Sequence, residues 1–274
     1  MKLTREMPAF NGVAANSRAT LNIPIGNTIH ELILSLGGGA FTEQHISAIR
    51  VKGNGRQLWE GSGDRLDIMN QFEGMAISGG TLIRLPFERF GLKTRDAVEM
   101  TAIGTGMTQN MDRNSPAYNP MPLTTLQVEV DIAGATTPTL SAKAILSAPS
   151  PLGTLLKRRE YTYSPAGAGN YEIADLPRGD VINRIWIFSD QLNGVMLDRN
   201  NFRVFERTAA ENNLIQSDGV RTPQANLFVI DPSENGNGGE WLISNVNDFR
   251  LILDMAAADT VTVVVDYLGG LQGN

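Results

Sequence analysis

Alternating apolar and polar residues predict β-strands along most of the chain. The clearest is Leu126–Ile132, where four apolar residues fall on one face and three polar residues on the other. Comparable segments predict further strands at Ala19–Ile25, Ile29–Leu36, Ile46–Val51, Thr81–Phe87, Ala97–Ile103, Lys157–Tyr163, Val181–Ser189, Ala225–Asp231, Phe249–Asp254 and Val261–Tyr267. Because these strands do not alternate with long helical patterns, the chain is predicted to be all-β.

One local pattern occurs twice. In Arg50–Phe72, a strand leads through the tight turn Asn54-Gly55 into a second strand, which a short helix follows. The same order returns in Met196–Ile215, where Asn200-Asn201 takes the turn and Thr208–Glu211 forms a capping box at the start of the helix. The repeat indicates a chain built from two similar halves.

The order of the predicted elements favours two tandem eight-stranded jelly-roll sandwiches, each with a short helix between its middle strands. We assign residues 1–147 to the first jelly roll and 148–274 to the second, with the proline-containing segment Ser147–Gly153 as the linker. A pair of immunoglobulin-like sandwiches is the alternative, and the inserted helix fits it less well. The run Ile185–Phe188 is apolar on both faces, which indicates a strand buried between layers or placed at a subunit contact.

Composition narrows the class of protein. The 274 residues include 28 glycines, which suit a chain with many turns, and 42% hydrophobic residues, which can support a core. The absence of cysteine excludes disulfides and thiolate metal sites. The net charge of −6 argues against direct sequence-specific binding of nucleic acid, because phosphate contacts require clustered lysine and arginine.

The sequence patterns of a membrane span and of a signal peptide are both absent. No apolar run approaches the roughly 20 residues that a membrane span requires. The segment Met1–Pro8 lacks the apolar middle of a signal peptide. We therefore expect synthesis in a cytoplasm without export through a signal sequence.

Residues typical of catalytic sites are sparse. The two histidines are His30, at the entry of a predicted strand, and His45, in a helix-like turn, and we interpret both as turn or surface residues. Nucleophile-elbow, zinc-protease and P-loop motifs do not occur. The sequence therefore assigns no catalytic and no cofactor-binding residue, and it leaves metal ligands unknown.

Acidic side chains are the remaining candidates for chemistry. Asp64 with Asp67, or Glu129 with Asp131, could serve as a general acid and base, but alternating strands place polar residues outward in any case. A second acidic group consists of Asp231, Glu234, Asn235, Asn237 and Glu240. Its oxygen atoms could bind calcium, but its residues do not have the spacing of a recognised calcium-binding loop. We interpret both sets as ordinary polar surface and predict that the protein is not an enzyme.

The three tryptophans and one basic run are further candidates for a binding site. Trp59, Trp186 and Trp241 lie among aliphatic residues, which favours core packing for at least two of them over an exposed sugar-binding platform. The run Lys157–Arg159 is interpreted as a solvated loop or strand edge.

Several blocks of sequence resemble the major capsid proteins of corticoviruses. They occur in the same order near the start, middle and end of the chain, at Asn11–Ser17, Ile23–Thr28, Glu172–Arg178, Asp248–Leu251 and Val264–Gly269. Glu172–Arg178 is the most specific block. The external loops, including Thr105–Pro122 and Ser233–Gly239, do not match.

The resemblance implies a double jelly-roll coat protein of the adenovirus-like lineage. Such proteins form homotrimers whose six jelly rolls give a pseudo-hexagonal block, and these blocks tile an icosahedral bacteriophage shell over an internal membrane. The implied partners are sister copies, other virion proteins and the membrane surface, and the implied location is the virion. The resemblance also implies calcium at subunit contacts in some members, without assigning residues here.

The sequence is also compatible with two other functions. A two-module carbohydrate-binding or host-recognition protein could be built from the same paired sandwiches and tryptophans. A glycoside hydrolase using paired carboxylates is the third hypothesis. An exposed aromatic platform would favour the former, and the latter is motivated only by aspartate and glutamate residues on strands.

Overall fold

The structure is a computed structural model of the chain, and it describes residues 1–75, 80–106, 123–238, 241–242 (backbone only) and 246–273. Contacts divide the chain into two compact units. The first unit consists of Met1–Gln71, Met75–Phe90 and Thr94–Leu156. The second consists of Phe72–Gly74, Gly91–Lys93 and Lys157–Asn274. Two short segments from the earlier half of the sequence therefore pack with the later half.

The first half of the described chain forms two antiparallel sheets. Its strands are β1 (Leu3–Glu6), β2 (Arg18–Ile23), β3 (Thr28–Gly37), β4 (Ile46–Gly53), β5 (Arg56–Gly61), β6 (Leu82–Pro86), β7 (Ile103–Gly104), β8 (Leu126–Ile132) and β9 (Thr139–Ser147). One sheet has the order β1-β9-β3-β6, with β7 also paired to β3, and the other has the order β2-β8-β4-β5. Helix α1 (Gly63–Phe72) follows β5, and helix α2 (Arg95–Glu99) precedes β7.

The second half repeats this arrangement. Its strands are β10 (Leu155–Tyr163), β11 (Gly169–Ile173), β12 (Val181–Phe188), β13 (Leu192–Arg199), β14 (Phe202–Thr208), β15 (Leu227–Ile230), β16 (Trp241–Leu242), β17 (Phe249–Met255) and β18 (Val261–Gly269). The sheet orders are β10-β18-β12-β15, with β16 also paired to β12, and β11-β17-β13-β14. Helix α3 (Ala209–Gln216) follows β14 directly.

The strand orders of the two halves correspond one to one. Without the two-residue strands β7 and β16, each half of the described chain has eight strands. Numbered one to eight in chain order, the strands of each half form one sheet in the order 1-8-3-6 and a second sheet in the order 2-7-4-5. This is the connectivity of a jelly roll. The prediction of two tandem jelly rolls, each with a short helix between its middle strands, is confirmed.

The core of each unit lies between the inward faces of its two sheets. In the first unit, Leu32 and Leu34 of β3 and Val128 and Val130 of β8 are all fully buried. The second core draws on alternate residues of the corresponding strands, among them Ile185, Ile187, Leu251, Leu253, Val263 and Val265. Each buried aliphatic side chain of this kind contributes about 1.5–3 kcal/mol.

Both predicted hairpin turns have the conformation that their residues favour. Asn54 and Gly55 have φ angles of 50° and 75°, and Asn200 and Asn201 have φ angles of 51° and 61°. Asparagine and glycine tolerate this left-handed region, which the favoured two-residue hairpin turn requires at both positions. The Asn54 side chain also accepts hydrogen bonds from the amides of the segment Thr124–Thr125 at 2.8 and 3.0 Å. The turns therefore fix the register of the repeated hairpins.

Local capping overturned one strand prediction. The segment Ala97–Ile103 was expected to be extended, but Arg95–Glu99 forms helix α2 and only Ile103–Gly104 pairs as a strand. The Thr94 side chain accepts from the Ala97 amide, and Arg95 donates to Glu99 one turn later at 2.8 Å. These local contacts stabilise a helical turn that alternation alone does not reveal.

Four strands, β1, β9, β11 and β16, were not predicted. Strand β1 lies in what the sequence suggested was a polar lead, and all of its residues are exposed. The apolar alternation of strand β9 is weak, because Ala142 and Ala144 fill core positions where larger aliphatic residues are usually found. Within the described part of the chain, no helix has the length and apolar character needed to cross a lipid bilayer.

Candidate functional site

The acidic pairs that could have acted as catalysts are engaged in other contacts. Asp131 accepts hydrogen bonds from Arg18 at 2.6 Å and from Arg50 at 2.6 Å, and Glu129 accepts one from Lys52 at 2.7 Å. The hydrogen bond from Arg18 is the main reason that the pKa of Asp131 lies below its ordinary value. This pair forms an ion-paired face of a sheet and not an acid and a base.

The pair on helix α1 also lacks a catalytic arrangement. Asp64 is exposed at the start of the helix, and Asp67 accepts a hydrogen bond from Gln71 one turn later at 2.6 Å. Burial raises the pKa of Asp67 above its ordinary value, and the hydrogen bond from Gln71 partly opposes this. The contacts are those of an ordinary helix surface.

The proposed calcium group separates into two ion pairs. Asp231 is buried and accepts hydrogen bonds from Arg184 and Arg221, and Glu234 is paired with Arg207 at 2.5 Å. Burial alone would raise the pKa of Asp231, but the two guanidinium groups hold it below its ordinary value. Carboxylates neutralised by arginine are poor cation ligands. The side chain of Glu240, the last member of the group, lies outside the described residues.

His30 was predicted at a turn or on the surface, and this is wrong. It is buried in β3, where Nδ1 lies 2.6 Å from Glu88 Oε1 and Nε2 lies 2.7 Å from Ser147 Oγ. Its contacts with Glu88, just after β6, and with Ser147 of β9 satisfy both ring nitrogens, which is why an imidazole can be buried there. His45 occurs in a short 3₁₀ turn, Glu43–His45, as expected.

His30 is part of the group in the described residues whose geometry could hold a metal ion. Candidate ligand atoms of His30, Glu88 and Glu99 lie within 4.8 Å of one another. Imidazole with carboxylate suits zinc better than calcium, which prefers oxygen ligands alone. The Lys2 ammonium lies 2.6 Å from Glu88 and 3.2 Å from Glu99, so it already neutralises these carboxylates. The donor set therefore does not fit calcium.

A buried polar cluster in the second unit surrounds Trp186 on the outer face of β12. Trp186 lies edge-on to Phe72 at a ring-centroid distance of 5.4 Å, and its Nε1 donates to Asp266 at 2.8 Å. Arg184, two residues earlier, donates to Glu73 at 2.6 Å. Burial raises the pKa of Glu73 above its ordinary value, although Arg184 opposes this. The segment Phe72–Gly74 is thereby held against β12.

The structure decides one sequence interpretation and corrects another. Of the two alternatives for Ile185–Phe188, it supports the buried strand, because the outer face is covered at Trp186 by Phe72 of the same chain. The basic run Lys157–Arg159 lies on strand β10 at a sheet edge, but it is not solvated, because Lys157 pairs with Asp180 and Arg158 pairs with Asp266 in buried contacts. Both features stabilise the second unit.

The two tryptophans with described side chains give no sugar-binding platform. Trp59 and Trp186 are almost completely buried, as predicted, and the side chain of Trp241 lies outside the described residues. Without an exposed aromatic pair among the described residues, nothing in the structure favours the carbohydrate-binding alternative.

The second unit exposes a set of large apolar residues, which we call the α3 surface. It comprises Phe202 and Val204 of the edge strand β14, Leu214 and Ile215 of helix α3, and Val220 in the loop that follows. Leu214 is 77% exposed. On the same helix Asn212 and Gln216 are buried and donate to the carbonyl oxygen of Val229. Helix α3 therefore binds its own sheet with amides and presents its aliphatic side chains outward.

The outer face of the β3 sheet in the first unit, which we call the β3 face, is partly exposed. Its members alternate with core residues and include Glu31, Ile33, Leu82, Arg84, Lys143 and Ile145. Arg84 forms a bidentate ion pair with Glu31, whose second contact measures 2.6 Å. Leu82 is 40% exposed. Sequence patterns did not single out either surface, because strand alternation does not show which outward residues stay exposed.

Comparisons with known proteins connect these two jelly rolls to viral coats. The family described as viral coat protein P2 N-terminal domain matches residues 4–147, and the viral coat protein P2 C-terminal domain matches residues 155–271. No curated protein sequence matches the chain.

Solved structures with the same fold are capsid proteins. The major capsid protein P2 from bacteriophage PM2 is similar with a TM-score of 0.87 and 24% identity, covering 100% of both chains. The atomic structure of Sulfolobus Turreted Icosahedral Virus is similar with a TM-score of 0.71 and 12% identity over 99% of this chain and 91% of that one. The PBCV-1 virus capsid is similar with a TM-score of 0.63 and 12% identity over 98% of this chain and 93% of that one. The chain therefore belongs to the P2 family of viral coat proteins.

Proposed function

We propose that this coat protein assembles as a homotrimer whose six jelly rolls form a pseudo-hexagonal block of an icosahedral shell. The observation that carries the proposal is the matching strand order of the two units. Three copies of a chain with two equivalent units present six similar units around one axis. A single gene product can then approximate six-fold symmetry.

A trimer of this kind requires a particular type of contact. Closed three-fold symmetry is built from heterologous contacts, in which one surface of a copy meets a different surface of its neighbour. The chain has two such different surfaces: the α3 surface, with several exposed large apolar residues, and the β3 face, on which Leu82 is exposed and Ile33 and Ile145 are half-buried. Exposed apolar patches on a coat protein are expected to be covered on assembly.

The oligomeric state tests the proposal directly. Light scattering coupled to size exclusion should give a mass three times the 29.7 kDa of the chain over a wide range of concentrations. Electron micrographs of the same sample should show blocks with six lobes. A monomer that persists at high concentration, or a dimer, contradicts the proposal.

Partners beyond sister copies follow from the resemblance to corticovirus coat proteins. We propose that the shell lies over an internal membrane and is joined by other virion proteins. Lipid analysis of purified particles tests the first point, because particles that contain the coat protein and genome without lipid would contradict it.

Calcium at subunit contacts is proposed on the same basis. The described histidine–carboxylate group does not fit calcium, and the proposed ion is instead bound by oxygen groups from two copies. Chelation with EGTA should lower the trimer fraction, and calcium but not magnesium should restore it. A trimer fraction unchanged by EGTA counts against calcium while leaving the trimer itself in place.

The proposed role is structural and does not include catalysis. The carboxylates raised as candidates are ion-paired, buried or placed on a helix surface. This supports a coat protein whose charged groups stabilise the fold.

A further inference from the structure

The register of the strands makes the two units comparable residue by residue. Trp186 in β12 pairs with Val229, the third residue of β15, and Ile33 in β3 pairs with Arg84, the third residue of β6. Each of β12 and β3 also carries a register irregularity centred three residues before this position, between Ile182 and Arg184 and between Ile29 and Glu31. Ile33 is therefore the counterpart of Trp186.

The helices can be matched in the same way. Gln216 of α3 donates to the carbonyl oxygen of Val229, and Asn70 of α1 donates to the carbonyl oxygen of Arg84. Since Val229 and Arg84 are counterparts, so are Gln216 and Asn70. Counting one residue back along each helix pairs Ile215 with Met69.

The matched helices differ sharply in burial. Met69 is 3% exposed, whereas Ile215 is 46% exposed. One residue earlier, Ile68 is half-buried, whereas Leu214 is the most exposed aliphatic residue of α3. Apolar residues at equivalent positions are therefore covered in the first copy of the repeat and uncovered in the second.

The matched sheet faces differ in the opposite sense. On the outer face of β12, Trp186 is fully buried, and its paired neighbour Val264 is also buried. On the β3 face, the counterpart Ile33 is half-buried and its paired neighbour Lys143 is exposed. The face that is uncovered thus belongs to the first unit, and the helix that is uncovered belongs to the second.

The second unit shows what covers such a face. Phe72, the last residue of α1, packs on Trp186, and Glu73 pairs with Arg184. The Thr222 amide also donates to the Phe72 carbonyl oxygen at 2.8 Å. The end of the helix in the first copy of the repeat therefore lies on the outer face of β12.

We propose that the α3 surface of one copy docks on the β3 face of the next copy, reproducing between copies the contact that the end of α1 makes with β12. This inference rests on the proposed trimer and names its interface. Asp218, two residues after Gln216, is the counterpart of Phe72, and it would lie near Ile33 of the neighbour. Leu214 and Ile215 would be buried there, and Lys143 supplies a cation near the Asp218 carboxylate. The contact joins unlike surfaces, so repeating it can close a ring.

Cross-linking tests the proposed contact because the chain contains no cysteine. The double variant Ile33→Cys with Val220→Cys should give covalent dimers and trimers with a short bismaleimide, since Val220 lies two residues beyond Asp218. Val220→Cys alone should give none, because the same residue in different copies is separated by the three-fold axis. A trimeric double variant without cross-links, or a cross-linked Val220→Cys single variant, overturns the proposal.

Disruption gives an independent readout. Leu214→Asp combined with Ile215→Asp should lower the trimer fraction at least tenfold, whereas Asn213→Asp, which adds a charge to an exposed polar position of the same helix, should not. Circular dichroism confirms that each variant is folded. A wild-type monomer refutes the trimer itself, whereas a trimer that survives the double substitution refutes only this interface.

Discussion

Removing the Asp231 carboxylate tests how the second unit is stabilised. The side chain is fully buried and accepts hydrogen bonds from Arg184 at 2.9 Å and from Arg221 at 2.8 and 3.0 Å. Ser233 donates to its other oxygen at 2.7 Å. In Asp231→Ala, both guanidinium groups stay buried while they lose their shared partner.

The expected loss can be bounded from these contacts. Removing one partner of a buried ion pair costs about 3–5 kcal/mol, because it leaves an uncompensated charge. Arg184 retains Glu73, and Arg221 retains Asp218, so we expect the lower end, about 3 kcal/mol. For an m-value near 3 kcal/mol/M in urea, this shifts the unfolding midpoint by about 1 M.

Urea unfolding followed by tryptophan fluorescence at a fixed protein concentration measures the shift. The control is Asp198→Ala, which removes the partner of Arg203 from a pair whose arginine side chain is 40% exposed. Such a surface pair contributes about 0–1 kcal/mol. If the two variants lose equal stability, the buried cluster does not stabilise the unit as the contacts indicate.

The pH dependence provides a second check on Asp231. Its pKa is lower in the folded chain than the unfolded value of about 3.9, so its contribution is present at neutral pH. The contribution is lost as pH falls below about 4 through the folded-state pKa. The difference between wild type and Asp231→Ala should therefore shrink in acid, and a difference that grows on acidification contradicts this assignment.

Two further predictions concern α3 and the tyrosines of the second unit. Thr208→Ala removes the hydroxyl that accepts from the Glu211 amide at 3.3 Å, and it should cost about 1 kcal/mol in thermal unfolding, with Thr208→Ser as the conservative control. No loss beyond that of Thr208→Ser would show that the cap is dispensable. Burial raises the pKa of Tyr267 far above its ordinary value of about 10, so the folded state keeps the proton that the unfolded state loses and stability should fall as pH rises above about 10. Tyr267→Phe should flatten this alkaline decline in urea unfolding, and an identical decline in the variant would contradict it.

Much of the fold could be predicted from local pattern. The alternation in Leu126–Ile132 matches β8 at both ends, and the Asn54-Gly55 turn and the Thr208 cap lie where they were expected. These features depend on residues close in sequence, so their physical causes are visible in the chain. Strand β9 was not predicted, because Ala142 and Ala144 have too little apolar surface to give a clear alternation of hydrophobic and polar residues.

The buried polar residues could not be predicted in the same way. His30 and the run Lys157–Arg159 appeared to be surface residues because charged and polar side chains usually lie there. Their burial depends on partners distant in sequence, such as Ser147 for His30 and Asp266 for Arg158. Single-sequence pattern contains no information on such pairs.

The same limit explains why the candidate interface was not visible in the sequence. Leu66 and Met69 of α1 are spaced as core residues and are buried, whereas Leu214 and Ile215 of α3 are adjacent and are exposed. In α3 the inward positions belong instead to Asn212 and Gln216. The reversal becomes meaningful only when the register shows that α1 and α3 are counterparts. The two similar halves differ by one exposed helix and one partly exposed sheet face, and these are the two surfaces that the proposed interface between copies brings together.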